Sequence, residues 1–381
     1  MTALKYWLWL TTRPGIGLIR AKKLLEYFGS PDNIYYAKDR DYLDIEGLKA
    51  GDITQLMQKN LDAANNILSS CEEIGCRIIT LSDSGYPDRL RNIYDPPLVI
   101  YVKGNLPYLD DEPIVGVVGT RNCTPYGITT AESIGEKLSQ SGIIVVTGLA
   151  RGIDTAATRG ALKGGARVIG VIGSGLDIVF PPENKHLFED VAGSGAIISE
   201  YPPGTPAVRS HFPARNRIIS GISLGVTVIE APQKSGALIT AARALEQGRD
   251  VFSLPGNVDA DKCKGSNALL REGAIPIMSA DDIIDEYIEL YPDKMVLSEK
   301  PEQKSIDNTS KVDYIDLGNQ LDKLDGDEKV IARSIGNNSS FIDEIIITTG
   351  FPVQKVLASL TMLELSGYIK QDKNGKWETL S

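Results

Sequence analysis

The 381-residue chain is poor in the residues from which most metal and redox sites are built. It has four cysteines, Cys71, Cys76, Cys123 and Cys263, and two histidines, His186 and His211. No two cysteines stand at CxxC spacing, which argues against a structural zinc site. Free thiols in a chain of this length fit a reducing cytosol. The GxxxxGK[ST] phosphate loop is missing, and so is the Gly-x-Ser-x-Gly of an elbow nucleophile. Gly173-Ser174-Gly175 supplies only two glycines of GxGxxG, with Ile178 in the third place, so a dinucleotide site is disfavoured. No apolar run is long enough to span a bilayer. The apolar start, Met1 to Leu10, runs into Arg13-Pro14-Gly15 without a basic n-region or a small-residue cleavage site, and is not read as a signal peptide. Basic charge is in deficit as well: Lys and Arg number 40 against 50 Asp and Glu, a net charge of −10. That balance argues against non-specific coating of nucleic acid, but it leaves room for a local basic groove.

What is present is an ordinary globular composition, 42% hydrophobic and 24% charged, in a chain long enough for two or three domains. Residues 1–75 read as short helices. Within them Arg13-Pro14-Gly15-Ile16-Gly17 leads into Lys22-Lys23-Leu24-Leu25. A Gly-x-Gly turn between helices is either a helix-hairpin-helix, whose amides can meet a phosphate, or a plain tight turn; the plain turn is weighted slightly higher. Residues 76–290 alternate β-rich runs with helical periodicity. The expected strands are Arg77–Leu81, Leu98–Val102, Ile114–Val118, Ile143–Thr147, Val168–Ile172, Ala196–Ser199, Gly225–Ile229, Val251–Leu254 and Ala274–Ile277, with helices over 127–140, 154–163 and 237–247. This pattern predicts an α/β fold, an extended Rossmann-like parallel sheet with helices on both faces. Residues 291–323 have the composition of a solvated linker. Residues 324–381 read as helix, turn, helix and β-wing, a winged helix.

Right-handed crossovers place the carboxyl ends of parallel strands on one edge, where ligands of such sheets bind. Five successive strand ends carry a cation there, mostly beside glycine. They are Gly119-Thr120-Arg121; Gly148-Leu149-Ala150-Arg151-Gly152-Ile153-Asp154; Gly173 to Asp177 with the later Lys185; Arg209, Arg215 and Arg217; and Gln233-Lys234-Ser235-Gly236. The densest stretch is Phe212-Pro213-Ala214-Arg215-Asn216-Arg217, two arginines flanking an asparagine at a loop-to-helix junction. One cationic turn suits one phosphate, whereas five suit a polynucleotide backbone. Phe180, Phe188, Tyr201, His211 and Phe212 lie in the same segments as rings on which bases could stack. Core packing is the preferred reading for Phe180; for Phe188, three residues after Lys185, stacking and packing are evenly matched. Asp154, Asp177 and Glu230 have no histidine partner, and a hydrogen-bonded loop role is favoured over catalysis for His211.

These strings resemble the DNA-processing protein A family, also called DprA or Smf. The resemblance rests on Gly119-Thr-Arg121, Thr147 to Asp154, Gly173 to Asp177, Phe212 to Gly221, Lys234-Ser-Gly-Ala-Leu-Ile-Thr240 and Leu254-Pro-Gly256. Tyr86-Pro87 and Asp95 to Gly104 add to it upstream. It implies a Rossmann-like core that binds single-stranded DNA, usually as a homodimer. It also implies protection of incoming DNA and help in loading a RecA-type recombinase during natural transformation. No cofactor, chemical turnover or membrane association is implied. Carried over by motif, Arg121, Lys185, Arg215 and Arg217 would contact phosphates and Phe188 would stack on bases, with Lys234 assigned less firmly. Arg151, His211, Phe212, Asn216, Ser235 and Gly236 complete the expected DNA-binding set.

Two readings compete. Phosphoribohydrolases of the "lonely guy" type resemble this fold, but their PGGxGTxxE loop is matched here only by Lys234 to Thr240, with no carboxylate before Glu246. A duplex-binding regulator acting through the winged helix is the other. Its recognition helix offers Lys355 against Glu364, and its wing offers Lys370, Lys373 and Lys376 around Asp372. Asp325, Asp327, Glu328, Asp343 and Glu344 make the rest acidic, so protein contact or weak duplex contact is at least as well supported as sequence reading.

Overall fold

The computed structural model describes residues 3–296, 326–335, 340–366, 368–371 and 376–379. The chain divides into two compact units, Met1–Lys300 and Pro301–Ser381. Of the linker expected over 291–323, residues from 297 on lie outside the described residues, as do Asp325, Asp372 and Lys373.

The first unit opens with helices α1 (Leu4–Thr11), α2 (Leu18–Phe28), α3 (Pro31–Tyr36), α4 (Ala50–Met57) and α5 (Asp62–Glu73). The Gly15–Gly17 segment turns the chain from α1 into α2, and Arg20 at the start of α2 is spent on Gly15 O at 2.6 Å and Asp52 at 3.1 Å. The sheet follows: β1 (Arg77–Thr80), β2 (Val99–Gly104), β3 (Ile114–Val118), β4 (Ile144–Thr147), β5 (Val168–Ile172), β6 (Ala196–Ser199), β7 (Gly225–Val228), β8 (Asp250–Ser253) and β9 (Ile275–Pro276). Between and after these strands lie α6 (Asp88–Arg91), α7 (Pro125–Gln140), α8 (Ile153–Gly164), α9 (Lys185–Ser194), α10 (His211–Ile222), α11 (Gly236–Glu246), α12 (Lys264–Arg271) and α13 (Asp281–Tyr287).

The nine strands form one sheet in the order β1-β2-β6-β5-β4-β3-β7-β8-β9. Strands β3 to β9 all run parallel, as in Val115↔Val145 and Val117↔Thr227. Strand β2 is antiparallel to β6 and to β1, which makes the pair an edge extension. The central strands are buried throughout. That is why they read as unbroken Val/Ile runs rather than as alternations. One face packs on α7, α8 and α9 and shares a continuous core with the amino-terminal helices, including Trp7, Trp9 and Tyr42. The other packs on α10 and α11 through Ile218, Ile222, Ala237 and Ala241.

The crossovers run outward from β3 through β4, β5 and β6, then return to the other side of β3 as β7, β8 and β9. The order therefore reverses between β3 and β7, which is the switch point where sheets of this kind open a crevice.

The second unit holds α14 (Gly326–Ile335), α15 (Ile342–Thr349), α16 (Val353–Leu365) and an antiparallel pair, β10 (Ile369–Gln371) and β11 (Trp377–Thr379). Ile331, Ile345, Val356, Leu360 and Trp377 form its core. This is the winged helix expected from the sequence. Among the described residues no single helix is long and apolar enough to cross a membrane, and no group of three or more His, Cys, Asp or Glu could hold a metal ion.

Candidate nucleic-acid interface

A cavity of about 620 Å³ opens at the carboxyl edge, over the switch point. Four of the five segments singled out in the sequence reach it, through Gly119–Arg121 after β3, Ala150 and Asp154 after β4, Arg209 and Arg215 after β6, and Lys234–Gly236 after β7; after β5 only Phe180 does, and Gly173–Asp177 and Lys185 do not. Helices α10 and α11 begin at this rim, so their amino-terminal partial charges favour an anion there. Ser235 accepts from Ala237 N at 3.2 Å and caps α11. Asn216 donates to Gly236 O at 3.2 Å, fixing the start of α11 against α10.

Arg215 sits at the cavity floor and is 4% exposed. Its Nη1 donates to Val171 O, while its Nε has no partner. Burial lowers its pKa to about 10, Asp154 acts in the opposite sense, and Arg121 adds to the lowering. Asp154 is raised, chiefly by its own burial; Arg215 and the amides of Ala150 and Gly148 work against that. Asp154 accepts from Gly148 N at 3.0 Å and Ala150 N at 3.4 Å. A Cβ at Gly148 would lie 2.0 Å from Arg215 Nη1, so only glycine lets the guanidinium reach the floor. Gly152 turns the same loop at φ +76° and packs against Thr120 O, a conformation that other residues rarely adopt.

Around the rim, Arg121, Arg209 and Lys234 are exposed and line the cavity. None of them has an ion pair or hydrogen bond among the described residues. Arg121 lies 5.1 Å over the Phe212 ring, and Phe180 packs on the same ring with centroids 5.6 Å apart. A smaller crevice of about 40 Å³ brings Arg121, Arg151 and Arg215 to this aromatic pair. Arg151 is exposed and paired with Glu183, which raises its pKa. His211 stacks on Tyr201 at 3.9 Å, with its Nδ1 3.0 Å from Gly173 O.

Three expected placements are corrected. Arg217 does not share the site with Arg215. Both lie inside α10, and residues two apart point about 200° apart around a helix. Arg217 faces away, 5% exposed, with Nη2 2.7 Å from Glu200 and Nε 3.2 Å from Asp95. Burial pulls its pKa down, but Glu200 and Asp95 more than offset that and leave it raised. Phe188 is 5% exposed and belongs to the core. It forms an apolar stripe on α9 with Leu187 and Val191, whereas Lys185 falls outside that stripe, is exposed and does not line the cavity. Three-residue spacing can put side chains on one face, as it does for Phe188 and Val191, so it is the burial of Phe188 beside an exposed Lys185 that separates them. Phe180, read from sequence as core, is 40% exposed and lines the cavity.

Of the carboxylates weighed for an enzyme reading, Asp154 lines the cavity and accepts from the Gly148 and Ala150 amides, while Glu230 and Glu246 are engaged outside it. Glu230 is 1% exposed and accepts from Thr124 N at 2.9 Å and from the Thr124 hydroxyl at 2.5 Å, at the start of α7. Glu246 closes the far end of α11, 2.7 Å from Arg243.

Residues 77–288 match the family described as DNA recombination-mediator protein A. The chain belongs to this family. Residues 318–375 match the DprA winged helix domain. Protein Smf of Synechocystis sp. is 33% identical over 98% of both chains. DNA processing protein DprA of Streptococcus pneumoniae is 43% identical over 55% of this chain and 73% of its own length. The X-ray structure of DprA from Streptococcus pneumoniae superposes with a TM-score of 0.66 at 35% identity, covering 74% of this chain and 97% of that one. DNA processing protein A from Helicobacter pylori, whose structure addresses its single-stranded DNA binding mode, has a TM-score of 0.51 at 29% identity over 56% of this chain and 97% of that one. For this family, then, the Rossmann-like core and the winged helix are both accounted for.

Proposed function

We propose that the carboxyl-edge cavity holds a stretch of single-stranded DNA, and that the chain protects this strand and passes it to a RecA-type recombinase during DNA uptake. It does so in the cytoplasm, as a homodimer and without chemical turnover. One observation carries the reading: among the described residues, Arg121, Arg209 and Lys234 ring a single cavity with no ion pairs, beside the exposed ring of Phe180 and the half-buried ring of Phe212. Unpaired cations take phosphates, and adjoining ring faces take bases irrespective of sequence. The Helicobacter pylori relative's single-stranded DNA binding and the family's description as a recombination mediator support the same reading. Of the residues proposed for DNA contact, we keep Arg121, Arg151, His211, Phe212, Arg215, Asn216, Lys234, Ser235 and Gly236, and add Arg209 and Phe180. Lys185 remains as a phosphate contact beyond the cavity.

Titration of a labelled oligothymidine across a salt series tests this. Arg121→Ala should weaken binding and reduce the slope of log K against log salt by about one phosphate contact. Unchanged affinity and slope in a folded variant would remove the groove, and hydrolysis of a mononucleotide competitor would favour the enzyme reading.

A further inference from the structure

Helix α5 ends in a turn that brings two cysteines together. Cys76 N donates to Cys71 O at 2.9 Å and Gly75 N donates to Glu72 O at 3.2 Å, with Gly75 at φ +64°. Two such bonds around a left-handed glycine make a Schellman motif. The motif brings together the side chains of the residue that receives the longer-range bond and the residue that donates it, ordinarily as an apolar contact. Here both positions are cysteine, and both thiols are free. Each thiol perturbs the titration of the other.

The two sulfurs differ in access and surroundings. Cys71 is buried, whereas Cys76 is half-buried and reached by solvent. Continuing the β1–β2 register one step beyond Arg77↔Val102 sets Cys76 opposite Lys103. The Cys71 thiol holds Cys76 below the ordinary thiol value; burial opposes this, Lys103 reinforces it and Asp177 works with burial. Cys71 is raised, first by the same contact with Cys76 and then by its own burial. Cys76 is therefore the accessible thiolate and Cys71 the thiol behind it. Cys123 and Cys263 are both raised, chiefly by burial, so nucleophilic sulfur is concentrated at Cys76.

We propose that Cys71 and Cys76 form a dithiol modification site that reacts with a small disulfide, such as glutathione disulfide, and closes to an intramolecular disulfide. The Cys76 thiolate attacks one sulfur of the oxidant, forming a mixed disulfide and releasing one glutathione thiolate, which takes up the proton Cys76 has lost. Cys71 then loses its proton and attacks the Cys76 sulfur, expelling the second glutathione, which takes up that proton. Two protein thiols are oxidised and one glutathione disulfide is reduced to two glutathiones. The motif already holds the two side chains in contact, so closure needs side-chain rotation and no movement of helix or strand. This chemistry is independent of the single-strand reading.

Trypsin cuts after Lys59 and Arg77 and releases residues 60–77 as one peptide that holds both cysteines. Reduced full-length protein is incubated with glutathione disulfide at neutral pH, then denatured and alkylated. The peptide should lose two hydrogens and take up no alkylating agent, while Cys123 and Cys263 alkylate fully. Excess reduced glutathione, added before denaturation, should restore both thiols. In Cys71→Ser the reaction should stop with one glutathione on Cys76, and in Cys76→Ser it should be lost, with Cys71 still alkylated. Alkylation of both cysteines in the treated, unaltered protein overturns the site. A mixed disulfide at Cys76 that persists in the unaltered protein overturns the role of Cys71. Modification of Cys123 or Cys263 at the same rate overturns the selectivity assigned to the motif. These three outcomes are read on the unaltered protein, so a variant that fails to fold leaves the test intact.

Discussion

Of the cations that lie over aromatic rings in the first unit, two are built to opposite ends. At the carboxyl edge, Arg121 lies over Phe212, exposed and without an ion pair. Among the amino-terminal helices, Lys59 lies 5.2 Å over Trp9, 5.4 Å over Tyr35 and 5.4 Å over Tyr42. There its Nζ also donates to the Tyr42 hydroxyl at 2.9 Å. The second arrangement has more rings and more contacts, yet it has spent its cation internally and closes an aromatic cluster. Cation–π geometry alone therefore does not mark a site. The sign of a binding surface is unspent capacity: a cation without a counter-ion and a ring with an open face.

If that distinction is right, residues inside the five cationic segments should sort by spent capacity and not by position. Phe188 is the sharpest case. Truncating a ring in a packed core costs about 3–5 kcal/mol, so Phe188→Ala should lose stability of that order in chemical denaturation. The fraction that remains folded should bind oligothymidine normally. A folded, stable Phe188→Ala with weakened binding would break the comparison.

Arg217 comes next. Removing it leaves Glu200 and Asp95, 24% and 29% exposed, without their shared partner. Breaking a buried ion pair costs about 3 kcal/mol at the low end, which suits carboxylates that water still reaches. Arg217→Ala should therefore lower the unfolding midpoint while the salt slope of binding stays unchanged. Phe180→Ala should do the reverse: little change in stability, and a loss of about 1–3 kcal/mol in single-strand affinity. If Phe180→Ala binds like the unaltered protein, the open ring pair is not a stacking platform.

These cases also mark where the sequence stops being legible. The parallel strands could be read because burial on both faces leaves continuous β-branched runs, and Ile114–Val118, Val168–Ile172 and Ala196–Ser199 fall where expected. The last strand, Ile275–Pro276, is shorter than its apolar run because the Ala274 amide turns back to Leu269 O at 2.9 Å. The carboxyl-edge rule found four of the five cationic segments because it depends on strand direction alone; after β5 the cavity takes Phe180 and not Lys185. Side-chain aim depends on helical phase, and that was not fixed. Arg215 and Arg217 separate only once α10 is known to begin at His211, four residues before Arg215. The spacing of Leu187, Phe188 and Val191 was available in the sequence and marks a core face; it outweighs the nearness of Lys185. For Phe180 the apolar neighbour Val179 and Pro181 suggested a core, and no local signal revealed that the loop turns the ring outward to Phe212.

The smallest expected effect tests the closed side of the comparison. Burial lowers the pKa of Lys59 to about 8 from the ordinary lysine value of 10.5. Below about pH 8 the amine is charged in both the folded and the unfolded chain, and folding carries the cost of burying that charge. Between there and the ordinary value, the unfolded chain holds the proton more tightly than the folded one, so stability must rise with pH through this window. Lys59→Met keeps the length over the rings and removes the titration. The difference in unfolding midpoint between the variant and the unaltered protein should shift in favour of the unaltered protein as pH rises from about 8 toward 10. Oligothymidine affinity should be the same for both. A difference that stays flat across the window would mean the amine is as well hydrated as a surface lysine. The contrast between a closed and an open cation would then fail on its closed side.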